Sequence, residues 1–397
     1  MTYAPSLEPA VMPTYGRYPL ALVRGEGMRV WDDEGREYLD FAGGLGTMPL
    51  GHSHPRWYAA VVAQARDLTM VSNLFFTRPQ ADLAGRIVDL FDIGEAQVYF
   101  GNSGAEANEA AIKLVRKWGL PLGRTKIVVL EGSFHGRTVA TLAATGQPPK
   151  RAAFEPLVDW FEFVAPGDVT ALDAVVGDAT AAVMVEPVMG EGGVRPLSHE
   201  YLQAVRRLTI ERGALLVADE VQSGVGRCGA WRASQLSNVT PDVFTLAKGL
   251  GGGLPVSATV ARKDLAFEPG DHATTFGAGP VVCAAGLAVL EVIEDDGLLD
   301  NALKQGEAIQ NALSARFEDN PVVSDVRGRG LLIGVELHGP LAKEVVLSLM
   351  SAGMLATEAS PNVVRLSPPL TLSTAEAQEG VEKVSAAVEA LASRTTA

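Results

Sequence analysis

Two short segments place a reactive side chain at the end of an apolar run. Lys248 ends one run and is followed by Gly249 and by glycines at 251–253. An amine in such a position could form a Schiff base with an aldehyde cofactor. These glycines do not form a P-loop, because the order Gly-x-x-x-x-Gly-Lys-[Ser/Thr] is missing. A lone lysine before a turn is also commonly a surface residue, so Lys248 alone does not define a site.

The second run, residues 214–219, ends in the acid pair Asp219 and Glu220. Ligands of α/β sheets bind at the carboxyl ends of the strands. One acid at that place could pair with a cationic ring nitrogen of a cofactor. A solvated strand end or a metal ligand would explain the pair equally well.

A third segment predicts the start of a helix after a short strand that ends at Phe100. Ser103 and Glu106 have the spacing of a capping box. Gly104 and Ala105 lie in the first turn, where no bulky side chain screens their backbone N–H groups. Such a helix start binds phosphate well, although a capped helix without any ligand explains the same residues.

Together these segments describe a pyridoxal phosphate site, and here the sequence resembles a known family. Residues from about 15 to 372 resemble class III aminotransferases of the fold-type I pyridoxal phosphate family, above all the acetylornithine group. The resemblance rests on four motifs: Gly-Asn-Ser-Gly-Ala-Glu-Ala-Asn-Glu at 101–109, Phe-His-Gly-Arg-Thr at 134–138, Asp-Glu-Val-Gln at 219–222, and Lys248.

The resemblance implies a role for each matching residue. Lys248 would hold pyridoxal phosphate covalently and move a proton between substrate and cofactor carbons. Asp219 would keep the ring nitrogen protonated. The remaining cofactor contacts would be Gly104 and Ala105 at the phosphate, Phe134 and Val221 on the ring faces, Gln222 at the phenolic oxygen, and Thr275 from the neighbouring subunit of a homodimer with shared active sites.

The resemblance also implies how substrates are bound. Arg137 and Arg365 match the substrate arginines, and a guanidinium can hold a carboxylate with two parallel hydrogen bonds. Glutamate would use both arginines, with its α-carboxylate on Arg365. N-Acetylornithine reacts through its distal amine and would use only Arg137, so Glu191 would then pair with Arg365. Thr274 corresponds to a further substrate contact.

The implied activity is transfer of the δ-amino group of N-acetylornithine to 2-oxoglutarate, in arginine biosynthesis. Sister ω-aminotransferases for succinylornithine, ornithine, 4-aminobutyrate or carrier-linked lysine share the site and stay open. A pyridoxal phosphate mutase, racemase or decarboxylase would be a different reaction class. The set of Arg137, Arg365 and Glu191 favours two alternating substrates, hence transfer. A ligand-sensing regulator would need an appended DNA-binding domain, for which neither end has room or basic charge.

Several positions depart from the family pattern without touching the lysine, the acid or the phosphate binders. Met189 replaces a usual glutamine, and Gly-Ala-Gly-Pro at 277–280 stands for Gly-Gly-Asn-Pro, so that Gly279 replaces the asparagine. Residues 46–49 also differ at the substrate entrance. Arg78 stands where an acid is common, and it could favour an extra negative charge near that entrance.

The elements that must position these residues alternate along the middle of the chain. β-Branched apolar runs at 126–130, 181–186, 214–219, 243–247 and 256–260 alternate with helical patterns such as 199–213, which Gly213 would cap. This alternation predicts an α/β fold with a mainly parallel sheet covered on both faces. The resemblance implies a fold-type I large domain with a seven-stranded sheet and a small α/β terminal domain.

The flanks predict the domain boundaries. Short alternating pieces at 28–31 and 37–41 belong to an N-terminal segment, 1–55, that is expected to pack with the small domain. The large domain spans 56–300. The small domain, 301–397, has strands at 330–337 and 363–366, a helix at 341–352, and a final helix opened by Ser373 and Glu376. The motif Arg-Gly-Arg-Gly at 327–330 could be interpreted as an anion site, but it is expected to open a strand of the small domain.

Composition excludes several classes of protein. The 397 residues carry 47 acidic and 33 basic side chains, a net charge of −14, so no basic field exists to attract nucleic acid or an anionic membrane. No secretory signal or run of about 18 apolar residues is visible. His52 and His54 leave a zinc site incomplete, and Cys228 and Cys283 are expected to be packing residues in a reducing cytoplasm.

Overall fold

The computed structural model describes residues 10–395. The strands are β1 (Leu22–Glu26), β2 (Arg29–Asp32), β3 (Glu37–Asp40), β4 (Ala96–Gly101), β5 (Lys126–Leu130), β6 (Phe161–Val164), β7 (Thr180–Val185), β8 (Val188–Met189), β9 (Arg195–Pro196), β10 (Leu215–Asp219), β11 (Val243–Leu246), β12 (Ser257–Arg262), β13 (Val323–Arg329), β14 (Leu332–Leu337), β15 (Met354–Leu355), β16 (Thr357–Ser360) and β17 (Val363–Leu366).

The helices are α1 (Gly43–Gly46), α2 (Pro55–Asp67), α3 (Arg78–Phe91), α4 (Gly104–Gly119), α5 (Val139–Ala144), α6 (Pro148–Arg151), α7 (Val169–Val175), α8 (His199–Arg212), α9 (Pro280–Asp295), α10 (Leu298–Arg316), α11 (Ala342–Ser351) and α12 (Thr374–Thr395). None of the helices in the part of the chain that the structure describes is long and apolar enough to cross a membrane.

The central sheet has the strand order β4-β12-β11-β10-β7-β5-β6. The strands β11, β10, β7, β5 and β6 run parallel to one another, which confirms the predicted mainly parallel α/β sheet. The predicted runs match β5, β7, β10, β11 and β12 to within a few residues. β12 runs antiparallel to both of its neighbours, and β6 was not among the predicted runs.

Helices cover both faces of this sheet because its strands are apolar on both sides. In β5, Ile127 and Val129 pack into the cluster that includes Leu114 and Val115 of α4. Val128 and Leu130 point the other way, into the cluster that includes Leu202 and Val205 of α8. These side chains are buried, and each such burial contributes about 1.5–3 kcal/mol. As predicted, Gly213 caps α8 with φ +62.

Two smaller four-stranded sheets stand beside the central one. The C-terminal sheet has the order β13-β14-β17-β16, and the N-terminal sheet has the order β1-β2-β3-β15. β3 pairs in parallel with β15, so the N-terminal strands join a C-terminal one. The predicted N-terminal segment, 1–55, begins with residues 1–9, and the predicted small domain, 301–397, ends with residues 396–397. Both of these ends lie outside the described part. Those boundaries remain a prediction.

The expectation for the Arg-Gly-Arg-Gly motif was wrong in detail. Arg327 and Arg329 close β13, and the chain then turns at Gly330, whose φ is +54, into β14. A strand was predicted to open at 330, whereas β14 begins at Leu332. The hairpin explains the difference, because a glycine supplies the left-handed backbone that the turn needs.

Candidate active site

The carboxyl ends of β10 and β11 bring the central chemical groups together. Asp219 and Thr245 are direct neighbours in the parallel register of these strands. Lys248 follows Thr245 by three residues, at the start of the short 3-10 turn Lys248–Gly251. The two segments that suggested an acid and an amine therefore meet at one sheet edge, where ligands of such sheets bind.

Asp219 is buried and held by three donors. Its Oδ2 accepts a hydrogen bond from Asn108 Nδ2 at 2.8 Å and pairs with His135 Nδ1 at 2.7 Å. Its Oδ1 accepts from the backbone N–H of Val221 at 3.1 Å. Thr245 Oγ1 lies 3.5 Å from Oδ1 but donates its single proton to Asn108 Oδ1 at 2.8 Å. Burial disfavours a charged His135, but its hydrogen bond to Asp219 prevails and raises the pKa of His135.

Glu220, the neighbouring acid, faces away from this cluster. Its Oε2 accepts hydrogen bonds from Ser223 Oγ at 2.6 Å and from the backbone of Ala233 at 2.9 Å, and its Oε1 accepts from the backbone of Ser234 at 2.9 Å. Glu220 is thus fully occupied in holding the chain that follows β10. The structure separates the two acids that the sequence left equivalent.

Lys248 is partly buried and has the backbone conformation φ +44, which is rare for a residue with a side chain. Burial lowers the pKa of Lys248 to about 8, and the nearby Arg365 cation acts in the same direction. With the Gln222 amide oriented so that its oxygen faces both cations, that oxygen accepts from Lys248 Nζ at 2.7 Å and from Arg365 Nη1 at 3.3 Å. A Cβ at Gly190 would lie 1.2 Å from the other terminal atom of this amide, so Gly190 makes room for Gln222.

Arg365 forms an ion pair with Glu191 across the same space. Arg365 lies on β17, is 1% exposed, and donates from Nη1 to Glu191 Oε1 at 2.5 Å. Its Nε donates to Thr357 Oγ1 at 3.2 Å. Burial opposes ionisation of Glu191, but the Arg365 cation prevails and lowers the pKa of that carboxyl. The C-terminal sheet therefore supplies the guanidinium, and the loop after β8 supplies its counter-ion.

The N-terminus of α4 lies next to this cluster. Ser103 and Glu106 form the predicted capping box. A Cβ at Gly104 would lie 2.6 Å from Val221 Cγ1, so the first turn of α4 approaches the segment after Asp219 closely. The first N–H groups of a helix find no acceptor within the helix. Those of Gly104 and Ala105 are therefore suited to an anion at this position.

Phe134 lies beside two cationic side chains, Arg137 and Lys150. The N–H of Phe134 donates to Glu186 Oε1 at 2.8 Å, and burial raises the pKa of Glu186 to about 7. Arg137 Cζ lies 5.5 Å and Lys150 Nζ 4.8 Å from the centre of the Phe134 ring. Arg137 is exposed, whereas Lys150 is partly buried, and burial lowers the pKa of Lys150.

Sequence reasoning assigned no role to Asn108, His135, Glu186, Thr245 or Lys150, although the structure places all five at or beside the cluster. Asn108 and His135 lie within the motifs that carry the family resemblance, and that position could have indicated them. Glu186 ends an apolar run in the same way as Asp219. Thr245 and Lys150 carry no signal of their own in the sequence.

Thr274 and Thr275 lie on the loop that precedes α9. They line an open depression of about 1140 Å³ together with residues of the segment 70–74. Thr274 Oγ1 accepts from Asn102 Nδ2 at 3.2 Å, close to the start of α4, while Thr275 is exposed. Arg78 is exposed at the first residue of α3, and its predicted effect on substrates stays untested.

Two departures from the family pattern have a local explanation. A Cβ at Gly279 would lie 2.9 Å from Met70 Sδ, so Met70 occupies the space of the side chain that Gly279 lacks. Met189 is buried in the apolar cluster of the sheet face that also contains Leu130. The entrance loop lies beside the lysine turn, because Met48 Sδ would be 2.9 Å from a Cβ at Gly253.

The two histidines and two cysteines flagged in the sequence lie outside this cluster. His52 Nε2 pairs with Asp40 Oδ2 at 2.8 Å, and His52 forms a β-bridge with Gly27. Within residues 10–395, no three His, Cys, Asp or Glu side chains converge in a way that could hold a metal ion. Cys228 and Cys283 are buried in apolar clusters.

The donor set fits a phosphorylated aldehyde cofactor with a basic ring nitrogen. Gly104 and Ala105 offer N–H groups for the phosphate, and the absence of a Cβ at Gly104 leaves the close approach to Val221 open. Asp219 offers a carboxylate fixed by three donors. Lys248 offers an amine whose pKa of about 8 leaves a useful fraction uncharged near neutral pH.

Comparisons with known proteins bear on the whole chain. The family model for class-III aminotransferases matches residues 11–388. The acetylornithine aminotransferase of Gloeobacter violaceus is 48% identical over 386 residues, which cover 96% of each chain. The ornithine aminotransferase of Toxoplasma gondii, whose active site holds pyridoxal phosphate at partial occupancy, has a TM-score of 0.93 at 31% identity and covers 98% of this chain and 94% of that one. The acetylornithine aminotransferase of Elizabethkingia anophelis has a TM-score of 0.85 at 31% identity and covers 96% of both chains.

Proposed function

Because this chain belongs to the class-III aminotransferases, we propose that it transfers the δ-amino group of N2-acetyl-L-ornithine to 2-oxoglutarate. The products are N-acetyl-L-glutamate 5-semialdehyde and L-glutamate, in arginine biosynthesis. The chain is a pyridoxal phosphate-dependent transaminase, as its family is. The observation that carries the substrate proposal is the Arg365–Glu191 ion pair. Support comes also from the acetylornithine aminotransferases that match nearly the full length.

The cofactor would be held by residues whose chemistry suits each of its parts. Gly104 and Ala105 would bind the phosphate, Phe134 and Val221 would pack on the ring faces, and Gln222 would contact the phenolic oxygen. When bound, pyridoxal phosphate supplies an electron sink for the carbanion formed at the substrate carbon. Asp219 would hold the proton on the ring nitrogen. His135 and Asn108 would fix the carboxylate in place for that purpose.

Lys248 would hold the cofactor and then serve as the base and acid for the substrate proton. Its amine must be uncharged to accept a proton, and its lowered pKa provides that form near neutral pH. Gln222 keeps Nζ at a defined place through the 2.7 Å hydrogen bond to its amide oxygen. Catalytic roles thus fall to Lys248 and Asp219.

Charge matching explains how one site would serve two substrates. The α-carboxylate of N-acetylornithine would bind Arg137, and its uncharged methylene chain would lie by Arg365. A buried guanidinium without a counter-ion is costly, so Glu191 would stay on Arg365. With glutamate, the α-carboxylate would replace Glu191 on Arg365 and the side-chain carboxylate would bind Arg137. Thr274 would add a polar contact to the substrate.

We further propose a homodimer in which Thr275 completes the neighbouring site. Leu74 and Phe76 are 88% and 106% exposed, and Phe75 and Phe276 are 64% and 67% exposed. Such a group of apolar side chains marks an interaction surface. The 70–76 segment packs on the Thr275 loop, since Asn73 Nδ2 donates to the Gly277 carbonyl at 2.9 Å. Light scattering should give the mass of two chains, and Phe76→Asp should shift it towards one.

The proposal includes a cytoplasmic location, which suits two unpaired, buried cysteines. The partners are small molecules, an acyl-ornithine and 2-oxoglutarate or glutamate. The acidic net charge gives no reason to propose a nucleic acid or membrane partner.

The activity can be tested by absorbance spectroscopy of the loaded enzyme. N-Acetylornithine alone should remove the visible band of the bound cofactor, and 2-oxoglutarate should restore it. A band that stays with N-acetylornithine but falls with ornithine, 4-aminobutyrate or a lysine derivative would move the assignment to a sister enzyme. The fold similarity to an ornithine aminotransferase makes free ornithine the first competitor to include. Silence with every amine would refute transfer and favour a mutase, racemase or decarboxylase.

A further inference from the structure

Arg327 of the Arg-Gly-Arg-Gly motif takes no part in the function proposed above, yet it contacts the loop that carries Glu191. Its side chain, on β13, is 16% exposed. Nε donates to the Val194 carbonyl at 3.0 Å, and Nη2 donates to the Gly193 carbonyl at 2.5 Å. A planar guanidinium can hold two successive carbonyls in this way, whereas an ammonium cannot.

The loop held by Arg327 has a strained conformation. Gly193 has φ +95, and Val194 has φ +49, which is an outlier for a β-branched residue. Val194 is buried, and a Cβ at Gly334 would lie 2.9 Å from Val194 Cβ. A backbone of this kind persists only where its surroundings impose it. The packing of Val194 and the two hydrogen bonds from Arg327 are such constraints.

The same C-terminal sheet carries both Arg327 and the partner of Glu191. Arg327 lies on β13 and Arg365 on β17, with β14 between them. The loop is therefore fixed to one sheet at two points, namely by its backbone at 193–194 and by the carboxylate of Glu191. We propose that Arg327 is a positioning residue that holds Glu191 on Arg365 and thereby sets the preference for the ω-amine substrate over glutamate.

Two acids orient the Arg327 fork. Nη1 pairs with Asp325 Oδ2 at 2.8 Å and also with Glu336 Oε2. Arg195 reaches Glu336 Oε1 at 3.6 Å from a side chain that is 56% exposed, whereas the side-chain hydrogen bonds to the Gly193 and Val194 carbonyls come from Arg327. Arg195→Met therefore removes a cation from the same cluster without loosening the loop. It is the matched control for Arg327→Met.

The expected change in substrate preference follows from the exchange of Glu191 for the glutamate α-carboxylate on Arg365. This exchange is part of the proposed function, on which the inference therefore rests. Glutamate must displace Glu191, so a looser loop should leave glutamate unaffected or favour it. N-Acetylornithine needs Glu191 in place, so a looser loop should disfavour it. A purely structural role for Arg327 would instead weaken both half-reactions alike.

The experiment compares single-turnover kcat/KM for N-acetylornithine and for glutamate in the loaded enzyme. In Arg327→Met the acetylornithine-to-glutamate ratio should fall about tenfold, the worth of one charge-assisted hydrogen bond. Arg195→Met should keep the ratio within about twofold of wild type. Arg327→Lys, which keeps the charge, should give a smaller fall of the same ratio. If Arg327→Met does not fold, the ratio in Arg327→Lys tests the proposal.

Three outcomes would overturn the proposal. The first is an acetylornithine-to-glutamate ratio that is unchanged in both Arg327 variants. The second is an equal loss of kcat/KM for both substrates. The third is a fall of the ratio in Arg195→Met as large as the fall in Arg327→Met. Wild-type enzyme active with both substrates, but with an unchanged variant ratio, would refute the role of Arg327 alone. Wild-type enzyme inactive with both would refute the proposed function, and the role of Arg327 with it.

Discussion

The lowered pKa of Lys248 makes a quantitative prediction about its reactivity. A lysine with the ordinary pKa of about 10.5 has about one amine in a thousand uncharged at pH 7.5, whereas a pKa of about 8 leaves about a quarter uncharged. In the cofactor-free protein, the uncharged fraction of Lys248 at pH 7.5 should therefore be about two hundred times larger than its ordinary pKa would allow, and its rate of acylation should follow that fraction as the pH changes.

Two substitutions should move the titration of Lys248 in opposite directions. Lys248 Nζ and Arg365 Nη1 share one Gln222 oxygen, so they lie no more than about 6 Å apart. Like charges at that separation repel by about 3 kcal/mol at an effective dielectric constant of about 20, or about two pH units. Arg365→Met should raise the midpoint by one to about two pH units. Glu191→Gln removes a stabilising acid and should lower it.

Competitive acetylation followed by peptide mass spectrometry measures this midpoint directly. The rate at Lys248 is followed from about pH 6 to 11, with Nα-acetyllysine in the same tube as the reference for an ordinary amine. The expected midpoint is about 8 in the wild type. A midpoint near 10, or a shift of the same sign in both variants, would refute the argument that burial and Arg365 set the charge of this amine.

The site makes three further predictions. Glu191→Gln should lower the KM for glutamate about tenfold and raise that for N-acetylornithine, because a charged hydrogen bond no longer competes at Arg365; initial rates with each donor check this, and parallel changes would contradict it. Asp219→Asn should slow the acetylornithine half-reaction at least a hundredfold, as measured by rapid mixing. It should also lower the pKa of His135, as measured by NMR titration. A loss of rate below about fivefold would contradict the role of the carboxylate. Gly190→Ala should displace Gln222 and weaken pyridoxal phosphate binding about tenfold by equilibrium dialysis, whereas Gly177→Ala, with open space at its Cβ, should not.

Local chemistry explains how much of the site could be predicted from the sequence. The capping box of Ser103 and Glu106 and the glycine cap at Gly213 depend on neighbours in the chain, and both have the predicted form. Asp219 and Lys248 each end an apolar run, which predicts a place at the sheet edge without any knowledge of the partners. Their meeting follows from the parallel pairing of β10 and β11.

The remaining features depend on contacts between distant segments. The choice between Asp219 and Glu220 is decided by Ala233 and Ser234, which occupy Glu220 from outside the motif. The antiparallel direction of β12 is not encoded in its apolar pattern, since a buried strand looks the same in either direction. The left-handed Val194 could not be predicted because residues near Gly334 and Arg327, far along the chain, impose it.

The position of Asn108 on α4 has a consequence for the dimensions of the site. Asn108 follows Gly104 by four residues, so about 6 Å of helix axis separates the turn that is proposed to bind the phosphate from the amide that holds Asp219. Thr245 fixes that amide from β11 by donating to Asn108 Oδ1 at 2.8 Å. One helical turn thus sets the distance between the two ends of the proposed cofactor site. A residue inserted between Glu106 and Asn108 would displace Asn108 relative to the first turn of α4, while the capping box could still form.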